Sequence, residues 1–174
     1  AVGGSTLHWA GASLRFQPHE WKVKTEYGNI KGASLEDWPI DHKEMDKWYT
    51  KAENHMGTLG TGGRERLPGN NNYKVFEAGA KRMGYKDFHT GNMSINSKPY
   101  DGRIACQQIG FCFQGCKSGA KWSSGYVSIP KGEATGKLEV RTHAQVLKIE
   151  HGKDGKVNGV VYADKKGTIH KQRA

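Results

Sequence analysis

Two groups of side chains in this 174-residue chain have the types and spacing to do chemistry. The first comprises all three cysteines, spaced Cys106-x5-Cys112-x3-Cys116. A structural zinc takes four ligands, commonly from Cys-x2-Cys pairs, and neither condition is met. An odd, tight cluster also makes a poor disulfide framework, since one thiol is always left over. Iron–sulfur clusters are held by cysteine thiolates on loops. Gly110 and Gly115 allow the backbone to come close to the sulfides, and Cys112 and Cys116 lie about one helical turn apart. Three thiolates satisfy a three-iron cluster, or a four-iron cluster with one ligand from elsewhere. The competing reading is three buried or incidental thiols.

The second group is Val2-Gly3-Gly4-Ser5-Thr6-Leu7-His8-Trp9. The glycines let the backbone approach a ligand closely, and the N–H groups that follow suit a phosphate or an electron-rich ring edge. A Gly-Gly-Ser-Thr string by itself is more often a turn. His8, beside a tryptophan, is more often a packed or hydrogen-bonded side chain than a reactive one. His19, His42, His55, His89, His143, His151 and His170 have no ligand-like spacing. The tryptophans, Trp9 excepted for its neighbours, are read as core or ring-edge packing.

Elements must carry these groups. Residues 1–16 read as a glycine-rich loop and an apolar stretch. Residues 35–57 read as a helix with its entry: Asp41 and Glu44 have capping-box spacing, Met45, Trp48, Tyr49, Ala52 and Met56 recur at helical intervals, and Gly57 stops it. Residues 58–72 are loop. A short helix is expected over 73–83, with Val75, Phe76, Gly79, Ala80 and Met83 on one side and Gly84 as stop. Residues 85–136 have little periodicity. Leu138–Arg141, Gln145–Glu150, Val157–Tyr162 and Thr168–Lys171 read as strands of a β-meander, with Asp154-Gly155 and Lys166-Gly167 as hairpin turns.

Composition excludes several classes. Lys plus Arg total 27 against 17 for Asp plus Glu, a formal charge of +10. The basic residues are scattered, from Lys22, Lys43 and Lys81 to Lys137 and Lys165, so they read as a solvated surface and not a nucleic-acid face. No apolar run approaches the roughly 18 residues of a bilayer span. The chain starts inside a loop-like segment and ends without a capping signal, which reads as a piece of a longer protein. The missing targeting signal therefore says nothing about compartment.

The order Gly3-Gly4-Ser5-Thr6-x-His8-Trp9, then Trp38-Pro39-Ile40-Asp41 leading into Trp48-Tyr49-x-x-Ala52-Glu53, resembles the glucose–methanol–choline (GMC) flavoprotein oxidoreductases. So do Leu138 to Val146 and Val157-x-Gly159-Val160-x-Tyr162. With the cysteine loop, the chain is most similar to the catalytic subunit of bacterial membrane-bound FAD dehydrogenases for gluconate, glucose, fructose and related polyols. The resemblance covers essentially all 174 residues. It implies an α/β (mixed α+β) fragment of a two-domain flavoprotein. Residues 1–34 and 120–174 would belong to the FAD-binding domain, and 35–119 to the cap with its cluster loop.

It further implies FAD lined by Gly3, Gly4, Ser5, His8, Trp9 and Gly11, with Val146 on the strand that meets the adenine. In covalent members the linking histidine follows the glycine pair as Gly-Gly-x-x-x-His, the spacing of Gly3 to His8. Noncovalent relatives also place residues here, so both modes of attachment stay open. Cys106, Cys112 and Cys116 match the family branch's loop for a [3Fe-4S] cluster. The implied reaction is hydride transfer from a sugar, sugar-acid or polyol hydroxyl carbon to flavin. Electrons would then leave through the cluster to a membrane cytochrome c subunit, beside a small accessory subunit, on the periplasmic side of the inner membrane. The dinucleotide fingerprint Gly-x-Gly-x-x-Gly is absent, as is the family's catalytic histidine with its His or Asn partner. The 174 residues alone are therefore expected to be inactive. The rivals are a pyranose-oxidase-like flavoprotein, against which the cysteines argue, a small iron–sulfur or metal-binding electron carrier without flavin, and a basic RNA-binding module.

Overall fold

A computed structural model describes residues 1–174. Helices, single-residue bridges and one antiparallel sheet make up a mixed architecture in two compact units, Gly3–Ser128 and Ile129–Ala174.

In the first unit, helix α1 (Val23–Tyr27) follows a 3-10 turn at Pro18–Trp21. Helix α2 (His42–Met56) forms where the periodicity and caps place it. The Asp41 carboxylate accepts from the Glu44 N–H at 2.8 Å, satisfying an otherwise orphan donor. Gly57 ends the helix at φ +72°, and a Cβ there would come within 2.8 Å of the Tyr100 ring. Helix α3 (Asn71–Arg82) begins two residues before the expected position, because Asn70 caps it through the Tyr73 N–H at 3.0 Å. Helix α4 (Ser128–Ala134), starting at the unit boundary, has no counterpart in the sequence reading. Pro130 and Gly132 hide it, although proline's missing N–H costs nothing in a first turn.

The core of this unit is small and largely polar. Leu59, Ile95, Ala120 and Val127 are buried together with Thr58, Ser94, Asn96, Arg103, Lys121 and Ser123. Three segments lie side by side through isolated antiparallel bridges, Ala12 to Met93 and Ile95 to Lys121. The Ser94 hydroxyl sits 2.7 Å from that of Ser13 and 2.9 Å from that of Thr58. Hydrogen-bonded polar groups thus do here what apolar packing does in larger cores. Arg15 grips α2: its guanidinium donates to both oxygens of the buried Glu53 carboxylate at 2.7 and 2.6 Å, and pairs with Asp46. Phe16, Trp38 and Tyr49 pack around the buried Trp21.

The second unit is a meander in the order β1 (Gln145–His151), β2 (Val157–Ala163), β3 (Ile169–Arg173). Gly155 and Gly167 turn the chain at φ +77° and +83°, as their dipeptides predict. Leu138–Arg141, expected as a fourth strand, is not one. Leu138 instead lies over Gly132, where an added Cβ would be 2.5 Å from its Cδ2. Arg141 donates to the Tyr162 hydroxyl and to Gln172 at 3.2 and 2.9 Å. Alternation suited a strand, but these tertiary contacts hold the segment outside the sheet.

Candidate functional site

The glycine loop folds as a 3-10 turn, Gly4–Leu7, entered through Gly3 at φ +104°. Gly3 lies against the backbone of Gly125, whose nitrogen an added Cβ would approach to 3.0 Å. Three bonds fix this contact: the Thr6 hydroxyl to the Gly3 carbonyl at 2.6 Å, the Ser124 hydroxyl to the same carbonyl at 2.9 Å, and the Ser124 N–H to Thr6 Oγ1 at 3.1 Å. The Trp9 indole donates to the Trp122 carbonyl at 3.0 Å and meets that ring edge-on. Trp9 therefore pins the loop from below. Above it, Gly4 faces open space, and Ser5 and the His8 imidazole are exposed. Gly11 is different: it is buried at φ +85°, and a Cβ there would crowd Ile95 at 3.0 Å. Val146 lies exposed on β1 opposite Tyr162, in the other unit.

The cysteine loop lines an open cavity of about 270 Å³ with residues 106–112 and 114–118, and Cys106, Cys112 and Cys116, all half-buried, are among them. Gly110 and Gly115 take φ +86° and +105°, the positive values that let the chain wrap the cavity. Backbone N–H groups point at sulfur: Gln108 to Cys106 Sγ at 3.3 Å and Lys121 to Cys116 Sγ at 3.4 Å. For Cys116, burial works against the thiolate. The Lys121 N–H, the Ser118 hydroxyl and the Ala120 and Gly119 N–H groups outweigh it, and its pKa falls below the usual thiol value. The three sulfurs do not converge as ligands of one ion: no three His, Cys, Asp or Glu side chains form a group that would hold a metal ion.

Two buried cations stand beside this loop, and neither was marked by the sequence reading. The Arg103 guanidinium donates to the Ala120 and Met56 carbonyls, each at 2.9 Å, and burial lowers its pKa. Lys121 is 0 % exposed. Its ammonium donates to Leu7 O at 3.0 Å, Trp9 O at 2.6 Å and Cys112 O at 2.7 Å. Those carbonyls belong to the two loops just described, so one side chain joins the two candidate cofactor positions. Lysine is almost never fully buried without a partner, and nothing in a run of Gly, Ser and Lys distinguishes this lysine from its solvated neighbours.

The arrangement is a glycine loop tied to a cysteine loop through one buried lysine. Residues 1–174 match the model of the GMC oxidoreductase family, and the chain belongs to that family. It is 27 % identical to the fructose dehydrogenase large subunit of Gluconobacter japonicus, over 98 % of this chain and 32 % of that protein. It is 30 % identical to 2-methyl-1,2-propanediol dehydrogenase of Mycolicibacterium austroafricanum, over 94 % of the chain and 31 % of that protein. It is 25 % identical to the gluconate 2-dehydrogenase flavoprotein of Pantoea cypripedii, over 95 % and 33 %. The chain thus spans about a third of the length of these relatives. No helix is long and apolar enough to cross a membrane.

Proposed function

We propose that this chain supplies the flavin-facing loop and the electron-exit loop of an FAD-dependent dehydrogenase that oxidises a sugar, sugar-acid or polyol hydroxyl. When bound, FAD supplies the two-electron acceptor for the hydride, and a [3Fe-4S] cluster supplies a one-electron outlet toward a cytochrome partner. Residues 1–34 and 120–174 are assigned to the FAD domain, and 35–119 to the cap and cluster loop. The relatives' names, two sugar or sugar-acid dehydrogenases and one diol dehydrogenase, support the substrate class. Cytochrome and accessory subunits on the periplasmic face belong to the same proposal.

One observation carries the reading: three half-buried thiols on one cavity, with N–H groups aimed at sulfur and two buried cations alongside. That environment favours an anionic occupant. A polynuclear cluster spreads its thiolates farther apart than a single ion does, so sulfurs that do not converge on one point still suit it. Gly4, Ser5 and His8 present an open, polar edge that fits the rim of a flavin, with the exposed His8 imidazole free to bond it. Trp9 keeps that edge in place, and Gly11 lets the loop rest on Ile95. The pyrophosphate seat lies outside these residues, as does the acid–base pair.

The test uses the full-length protein. After oxidation it is expected to show a paramagnetic signal near the free-electron position. Cys112→Ser is expected to abolish that signal and the reduction of an external cytochrome, while substrate still bleaches the flavin. Cytochrome reduction that survives loss of the cluster would make the cysteines structural and favour the oxidase.

A further inference from the structure

Lys121 is the largest of the fully buried side chains. An ammonium has three N–H donors and no acceptor, and here all three are used on carbonyls from two separate loops. Two of those carbonyls, Leu7 and Trp9, stand on either side of His8. The third belongs to Cys112, and the backbone N–H of Lys121 itself bonds the Cys116 sulfur. The ammonium is thus held at the junction of the His8 loop and the Cys112 turn, out of contact with water. Dipoles alone are a weak substitute for water around a buried charge.

We propose that Lys121 is a positioning residue shared by both cofactor loops. Its ammonium holds the carbonyls around His8 against the Cys112 turn and sets one positive charge beside the cysteine sulfurs. The proposal rests on the iron–sulfur reading above. A neutral polar residue does not replace Lys121, because three carbonyls then face two donors at most and the Cys112 turn loses the buried cation bonded to it. A group that accepts electrons beside a positive charge is easier to reduce than the same group without it. Lys121 therefore raises the potential of whatever the cysteines hold, and keeps the His8 loop in register with it.

The experiment compares full-length wild type with Lys121→Met, Lys121→Gln and Lys121→Arg, reading iron and flavin content per protein and the midpoint of the paramagnetic signal in a redox titration. Lys121→Met is expected to lower the midpoint and to reduce flavin content, with the loop around His8 no longer held. Lys121→Arg, which keeps the charge and several donors, is expected to restore most of both. Lys121→Gln keeps polar contacts without charge and carries the same readouts should the methionine variant not fold. Cluster-loaded Met or Gln variants with wild-type midpoint and wild-type flavin content overturn the inference alone. A wild-type protein with neither iron nor signal overturns the iron–sulfur reading, and this inference with it.

Discussion

At the scale of single residues, the decisive contrast is between side chains held by the fold and side chains left free by it. Trp9 and His8 are neighbours, yet the Trp9 indole is committed to the Trp122 carbonyl while His8 is exposed. His8→Ala is therefore expected to leave folding intact and to release flavin from acid-precipitated full-length protein, whereas wild type retains it. Flavin freed equally from both would assign His8 no covalent role. The cysteines differ as well. The lowered pKa of Cys116 means its thiolate persists at pH values where an ordinary thiol, near 8.5, is protonated. In iron-free protein, alkylation of Cys116 by iodoacetamide is expected at a lower pH than that of free cysteine. A pH–rate profile that coincides with free cysteine would remove the argument that these N–H groups prepare a thiolate.

At the scale of elements, α2 and the meander are the pieces whose stability can be traced to named contacts. Asp41→Ala is expected to destabilise the protein by stripping the N-cap of α2, measured as a fall in unfolding midpoint at constant m. Arg15→Met leaves the buried Glu53 carboxylate without its bidentate partner. It is expected to cost about 3 kcal/mol, clearly more than the loss of the cap. In the meander, Asp164 accepts from His170 and from the Thr168 and Lys166 N–H groups, which lower its pKa. Because the folded value is depressed, this contribution is present above the ordinary carboxylate range, near 3.9, and is lost as pH falls through the lowered value. Protection of the amides in the Asp164–Thr168 turn, taken relative to intrinsic exchange at each pH, is expected to fall in acid, and Asp164→Asn is expected to flatten that dependence. The caps of α2 and the two glycine turns were legible in the sequence because each depends on a few adjacent residues. The register of β1 on β2, with its irregularities after Val146 and Glu150, was not, because it depends on how facing strands fit.

At the scale of the whole molecule, many large apolar side chains are left in water. Phe76 and Met83 on and after α3 are 70 % and 76 % exposed, and Phe111, Phe113, Leu147 and Ile149 are exposed too. Apolar patches of this kind mark contact surfaces, and the chain spans about a third of its relatives' length. The isolated 174-residue chain is expected to bind a hydrophobic dye such as anilinonaphthalene sulfonate and to retain no FAD through gel filtration. The full-length protein is expected to bind less dye per residue and to keep its flavin. FAD retained by the isolated chain would show that the dinucleotide fingerprint is not needed.

The sequence by itself determined the family, α2 with its caps, and the hairpin turns. All of these rest on residue type and short spacing, and local geometry follows from local chemistry. The tertiary structure alone decided that Leu138–Arg141 stays outside the sheet, that Gly11 is buried under Ile95, and that three cysteines line one cavity. It also decided that Lys121, one of 27 basic residues, is the one buried between Leu7, Trp9 and Cys112. Burial depends on which distant segments the chain brings together, here residues more than a hundred positions apart, and no window of adjacent residues carries that information.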